Sequence, residues 1–250
     1  YGGGGESNML SDHCAVSVAI ESPALKLSRS VRWTTESAEY RNITKRIYAN
    51  ATNQLHQMDL SKGVIVMDVD ETILDNSGYQ AWLNRTGNEY KSKTWAAWVK
   101  AKEATLVPGV AEFIETALKN GARLGFVTNR PRSLDSYTWD NLIAQGLPIS
   151  SANTCLMGRT QADKDAMNGV DIVNDKDLRR QQIEQGMASC YIQDGERQSL
   201  YPALPLIMQV GDNAEDFSRV LQHDKDLDAL LEKHVNDYIL LPNAMYGSCV

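Results

Sequence analysis

The stretch "VIVMDVDETILDN", residues 64–76, constrains this chain more than any other. Val64, Ile65, Val66 and Met67 are apolar at every position. That is the pattern of a strand buried on both faces of a parallel sheet. Asp68, Asp70, Glu71 and Asp75 follow within eight positions, with no basic residue among them. Acids crowded at the end of a buried strand repel one another and lose hydration. A chain keeps such a cluster where a cation or a reaction needs it.

The remaining sequence supplies neighbours for that strand. "ARLGFVTNR" (122–130) and "LIMQVGDN" (206–213) read as two more buried strands ending in polar residues. A short strand near Thr154–Met157 and another in "DYILLPN" complete the set. Helical spacing falls between them. It covers 31–57, Lys93–Ala101, "VPGVAEFIETALKNG" closed by Gly121, "SLDSYTWDNLIAQG" closed by Gly146, and "KDLRRQQIEQG" closed by Gly186. Residues 158–175 and 187–205 read as irregular. Strands alternating with helices predict an α/β fold with a doubly wound, mostly parallel sheet. Such sheets bind ligands at the carboxyl ends of their strands. Asp68/Asp70/Thr72, Thr128/Asn129/Arg130 and Gly211/Asp212/Asn213 should therefore meet at one edge.

Composition narrows the function. The chain has 250 residues, a formal net charge of −7 and a pI near 5.2, which argue against nucleic acid or an anionic membrane as partner. No apolar run approaches the roughly 18–20 residues of a membrane span. The Gly-rich start makes residues 1–12 a flexible tether, and 13–250 read as a single domain. Cys14, Cys155, Cys190 and Cys249 contain no C-x-x-C pair, which excludes zinc-ribbon and thioredoxin-like readings. The wide spacing permits two disulfides. Chain termini are often neighbours, and Cys155 and Cys190 flank the irregular region, so Cys14–Cys249 and Cys155–Cys190 are the favoured pairings.

D-x-D-x-T after a hydrophobic strand suits phosphoryl transfer. One carboxylate attacks phosphorus, and a second, two residues on, delivers and later accepts a proton. A hard cation, Mg²⁺, is expected between Asp68, the backbone carbonyl of Asp70, and Asp212. It would offset the repulsion between an anionic nucleophile and an anionic phosphate. Thr128, Asn129 and a lysine would grip the phosphate oxygens. An EF-hand loop beginning at Asp68 fails, because Ile73 and Tyr79 stand where Gly and Glu are required. No Walker A sequence occurs, and His13, His56, His223 and His234 show no metal-ligand spacing.

"VMDVDETILDNSGY" and "QVGDNAEDF" together resemble the two signatures of the class C (DDDD) acid phosphatases. These are bacterial outer-membrane lipoprotein phosphatases and nucleotidases of the haloacid dehalogenase (HAD) superfamily. The similarity extends over "KTWAAWVKA", "VPGVAEF", "FVTNR" and "LLPNAMYGS". The resemblance implies a HAD-type Rossmann-like core with a small, mainly helical cap, contributed by the N-terminal helix and about 76–105. It implies Mg²⁺-dependent hydrolysis of phosphomonoesters, often 5′-nucleotides. Asp68 matches the nucleophile, Asp70 the acid/base, Asp212 and Asp216 the remaining aspartates, with Asp216 behind the metal ligands. Thr128 matches the phosphate-binding hydroxyl. Lys176 matches the third-motif lysine, with Lys164 in "ADKDAM" as competitor; a helix N-terminus beside Lys176 favours it.

In that family, aromatics matching Trp95 and Tyr246 sandwich a flat ring of the substrate. The opposing reading of Trp95 is a core residue sharing a helix face with Trp98. The resemblance also implies a periplasmic or outer-membrane location, with membrane contact only through a lipid anchor upstream of residue 1. A phosphotransferase passing the phosphoryl group to an alcohol would use the same residues. A storage or binding protein on the same fold is disfavoured by the intact Asp68.

Overall fold

The computed structural model describes residues 26–247 except 168 and 170. The periodicity over 31–57 resolves into two helices, α1 (Arg29–Glu36) and α2 (Ala38–Leu55). Ser37 divides them. Its backbone is extended, with ψ 143°, and its hydroxyl accepts from the Tyr40 N–H, so it caps α2 and ends the preceding helix. β1 (Val64–Met67) is buried at all four positions. A strand over 64–70 is what the sequence predicts; β1 stops at Met67 because the chain turns at the acids, passing through Glu71 at φ 55°.

β2 (Leu74–Asp75) leads into α3 (Ser77–Thr86) and α4 (Ser92–Ala101), and β3 (Thr105–Leu106) returns antiparallel to β2. α5 (Val110–Lys119) buries Val110, Phe113, Ile114 and Ala117, one helical face. β4 (Arg123–Pro131), α6 (Asp135–Ala144) and β5 (Thr154–Arg159) follow. The segment read as irregular contains α7 (Gln161–Ala166), whose start is fixed by Asp163 accepting the Thr160 N–H at 2.7 Å. α8 (Asp177–Glu184) precedes two short strands, β6 (Cys190–Tyr191) and β7 (Arg197–Gln198), in the segment read as a loop. β8 (Leu206–Gly211), α9 (Leu227–Lys233) and β9 (Tyr238–Leu240) complete the described chain.

Among the described residues, seven strands form one sheet in the order β7-β6-β5-β4-β1-β8-β9. β5, β4, β1, β8 and β9 run parallel, and β6 runs antiparallel to both its neighbours, β5 and β7. The strand pattern alternates as a doubly wound sheet requires. Ile65, Met67, Leu124, Phe126 and Leu156 join one core with α2, α5 and α6. Val64, Val66, Val127 and Met157 join the other with Ile183 of α8. Gly125 permits that second layer to close, since a Cβ there would lie 2.8 Å from Ile183 Cδ1.

Cys155 and Cys190 lie in the second core as a disulfide with Cα atoms 4.8 Å apart, tying β5 to β6 as expected. Cys14 and Cys249 fall outside the described residues. α1 is joined to α3 through the Ser28 N–H and Asn84 Oδ1, 2.6 Å apart. α2 belongs to the layer beneath the sheet, packed on α5. Of the N-terminal helical region, α1 therefore stands with α3, and α2 with the core. Among the described residues no helix is long and apolar enough to cross a membrane.

The chain leaves β1 for β4 and β5 on one side, then crosses to β8 on the other. That reversal is a topological switch point, and it opens a crevice above β1.

Candidate active site

Asp68 follows β1 directly. Its N–H bonds Val210 O of β8 at 2.9 Å, which keeps the two strand ends side by side. Asp212 follows β8, and a short 3₁₀ turn over Ala214–Asp216 folds back beside it. The close approach needs glycine at 211, where a Cβ would stand 2.2 Å from Asp216 Cβ. Asp216 Oδ2 accepts the Asn213 N–H at 2.9 Å. One oxygen each from Asp68, Asp212 and Asp216 lies within 4.8 Å of the others.

Lys176, immediately before α8, reaches into this cluster. Its Nζ bonds Asp216 Oδ1 at 2.5 Å and also Asp68 Oδ1, with all three side chains buried. Lys164 is exposed on α7. Burial pulls the Lys176 ammonium down, but Asp216 and Asp68 together outweigh it and raise the group above its ordinary value. Asp68 is raised well above the usual carboxylate range, by burial first; Lys176 opposes this, and the other aspartates add to it. Asp212 is pushed up to about 7 by burial and then by Asp216. Its two oxygens are held by Thr72 Oγ1 at 3.0 Å and Asn243 Nδ2 at 2.8 Å. Tyr48 of α2 anchors the same turn by donating to Thr72 O at 2.7 Å.

The donor set suits a hard divalent cation. It is made of carboxylate oxygens, two from buried aspartates and one from the half-buried Asp212, and carries more negative charge than Lys176 alone balances. Asp216 contributes one of the three oxygens that converge.

Asp70 is held by a different set of partners. Arg130 grips its carboxylate, with Nη2 2.7 Å and Nε 2.9 Å from Oδ1. Asn76 Nδ2 donates to the same oxygen at 2.9 Å. Thr128 is fully buried; its hydroxyl donates to Asp70 Oδ2 at 3.3 Å and accepts the Arg130 N–H at 3.1 Å. Asn129, beside it, is exposed on the cleft wall. Arg179, on the first turn of α8, ties this strand end down by donating to Thr128 O and, at 2.8 Å, to Asn129 Oδ1.

A cleft of about 550 Å³ opens over these groups. Asp68, Asp70, Lys176 and Asp212 line its floor, and Trp95 and Tyr246 stand on its walls. Trp98, three residues from Trp95, packs against the core and donates its indole N–H to Asn76 Oδ1 at 2.8 Å. The helix face shared by the two tryptophans thus serves both core and cleft. Sequence reasoning missed Tyr90, an exposed ring 6.4 Å from Trp95 on the same cleft. It also gave no role to Arg130 and Asn243. Their only sequence signal is placement, a cation closing an acid-facing strand end and an amide in the tail after β9.

The family model for HAD superfamily, subfamily IIIB (acid phosphatase) matches residues 11–249. Among solved structures, the chain is similar to the class C acid phosphatase from Bacillus anthracis, with TM-score 0.65 and 23% identity over 87% of this chain and 84% of that one. A structure of class C acid phosphatase from Bacillus anthracis with tungstate bound matches with the same TM-score, identity and coverage. At that identity the structural likeness speaks for the fold.

Proposed function

Since the chain belongs to the acid phosphatases of HAD superfamily subfamily IIIB and is a phosphoric monoester hydrolase, we propose that it cleaves 5′-nucleotides through an aspartyl phosphate, with Mg²⁺ as cofactor. The observation that carries this reading is the convergence of Asp68, Asp70, Asp212, Asp216 and Lys176 on one cleft walled by aromatic rings.

In this reading the Asp68 carboxylate bonds to phosphorus as the bond from phosphorus to the ester oxygen breaks. Asp70 gives its proton to that leaving oxygen, which departs as an alcohol. Asp70 then takes a proton from water. The water oxygen bonds to phosphorus, the bond to Asp68 breaks, and inorganic phosphate leaves. Lys176 and Asn129 hold phosphate oxygens, and Thr128 turns its hydroxyl from Asp70 to the incoming phosphate. Asp68, Asp212 and the Asp70 backbone carbonyl would hold Mg²⁺, with Asp216 supporting them. When bound, the ion supplies positive charge for the phosphate and its attacking carboxylate. Trp95 and Tyr246 take the base between them. The tungstate complex of the Bacillus anthracis protein, an oxyanion in a similar fold, is in keeping with a phosphate site here.

We place the protein outside the cytoplasm, in a periplasmic or outer-membrane setting. The Cys155–Cys190 disulfide supports an oxidising compartment.

Phosphate release from a nucleoside 5′-monophosphate and from glycerol phosphate, with Mg²⁺ and with chelator, tests the reading. Asp68→Asn should abolish turnover and leave a folded protein. Activity within about tenfold of wild type would sink the covalent route, since nucleophile loss in a covalent mechanism costs far more.

A further inference from the structure

Asp70 is held by more donors than a proton-transfer group needs, and they are unevenly shared. Oδ1 receives Arg130 Nη2 at 2.7 Å, Arg130 Nε at 2.9 Å and Asn76 Nδ2 at 2.9 Å. Oδ2 has only two long contacts, Arg130 Nε at 3.2 Å and Thr128 Oγ1 at 3.3 Å. A carboxylate oxygen has two lone pairs, so three donors saturate Oδ1. Oδ2 keeps capacity to carry a proton.

Both holders of Asp70 are themselves seated. Arg130 is 1% exposed, donates to Thr138 Oγ1 at 3.1 Å, and lies 5.5 Å from the ring centre of Trp95. Asn76 is fully buried, takes the Trp98 indole N–H on Oδ1, and gives its own N–H to Glu71 Oε1 at 2.7 Å. The two tryptophans of α4 therefore each rest on one holder. A fork of this kind fixes a carboxylate's plane as well as its place.

We propose that Arg130 is a positioning residue for the proton-transfer carboxylate, locking Asp70 through Oδ1 so that Oδ2 serves the leaving oxygen. This rests on the reading of Asp70 as acid and base. Proton donation to the leaving oxygen occurs as its bond to phosphorus breaks, so the need for a well-placed acid depends on that oxygen. An alkoxide leaves poorly without a proton, whereas a nitrophenolate leaves without one. A residue that only supports the fold treats both esters alike.

The test measures kcat/KM, which reports steps up to release of the alcohol, for glycerol phosphate and 4-nitrophenyl phosphate with Mg²⁺ present. Arg130→Ala should lower kcat/KM for the alkyl ester by roughly 100-fold, the lower end of general-acid contributions, and for the aryl ester by less than about fivefold. Arg130→Lys, which keeps charge without the fork, should fall between wild type and Arg130→Ala in the ratio of the two. Equal losses on both esters in Arg130→Ala overturn the proposal. If that variant does not fold, an unchanged ratio in Arg130→Lys overturns it. Asp70→Asn should show the same alkyl-selective loss; equal losses there would remove the role on which the proposal rests. A wild-type protein inactive on both esters would instead refute the phosphatase reading itself.

Discussion

Stripping divalent cations and raising the pH should weaken this fold, and Asp212→Asn should reverse the weakening. Asp212 is raised to about 7 by burial and Asp216, and Asp68 is raised as well. A carboxyl whose folded value exceeds its unfolded value, about 3.9, holds an extra proton in the folded state. Its stabilising contribution is full below about pH 4 and is lost as pH climbs through about 7. The proton belongs to the cluster, and it is worth about 1.4 kcal/mol per pH unit across that window. The rise from 3.8 to about 7 sets a ceiling of roughly 4 kcal/mol. Asparagine has no such proton but gives up one good contact of the two from Thr72 and Asn243, about 1 kcal/mol. Urea denaturation in chelator near pH 7.5 should therefore find the variant more stable by about 1–3 kcal/mol. Near pH 4.5 the order should invert. Mg²⁺ at about 100 times its dissociation constant should return about 2.7 kcal/mol to wild type and little to the variant. Wild-type stability that stays flat or rises with pH in chelator, with the variant weaker throughout, would refute the linkage argument.

Tyr246→Ala should raise KM for a nucleotide by roughly 5- to 150-fold and leave glycerol phosphate almost unchanged, as steady-state kinetics on both substrates will show. Trp95→Ala should do the same and also slow the ringless ester, because Arg130 loses the ring beside it. Replacing Cys155 and Cys190 together by alanine should cost about 4 kcal/mol in urea denaturation, the entropy of opening a loop of separation 35. Gly211→Ala should lower Mg²⁺ affinity in calorimetry before it unfolds the protein, since its methyl displaces Asp216 from beside Asp212.

The strands that form the floor of the cleft were legible because each is an apolar run ending in polar residues. β1, β4 and β8 carry that pattern, and their ends meet as the α/β reading requires. Lys176 was expected from the resemblance, with its place before a helix favouring it over Lys164, and it does reach Asp68 and Asp216. The two-residue strands β6 and β7 were not legible, because alternation needs more positions to register. α7 carried its signal in Thr160 and Asp163, a capping pair inside a segment judged only by polarity. Arg130 was expected at the same edge as Asp70, but its grip on that acid was not legible, because the partner lies 60 positions earlier and nothing local distinguishes an arginine that grips an acid from one in solvent. Thr128 was expected at the strand end; its full burial, with Asn129 on the cleft wall in its place, was not legible, since the turn that decides it depends on Arg179.

The central position of β1 has a consequence for the chain during its synthesis. Val64–Met67 pairs on one side with β4, made about 60 residues later, and on the other with Leu206–Val210, made about 140 residues later. At roughly 5–20 residues per second, that second edge stays open for about 7–30 s. An open edge of four apolar residues is a template for a neighbouring nascent chain. Delayed closure thus sets a window for misassembly, and for a chain exported as proposed above that window lasts until residues 132–205 and β8 have also crossed the membrane. On the proposed reading of the site, the same delay would keep incomplete products catalytically silent. Asp212 and Asp216 arrive with β8, so a chain arrested before that strand carries Asp68 without the acids that complete its cluster. On that reading enzyme activity counts finished molecules, and comparing it with total polypeptide during expression would measure how many chains close the sheet.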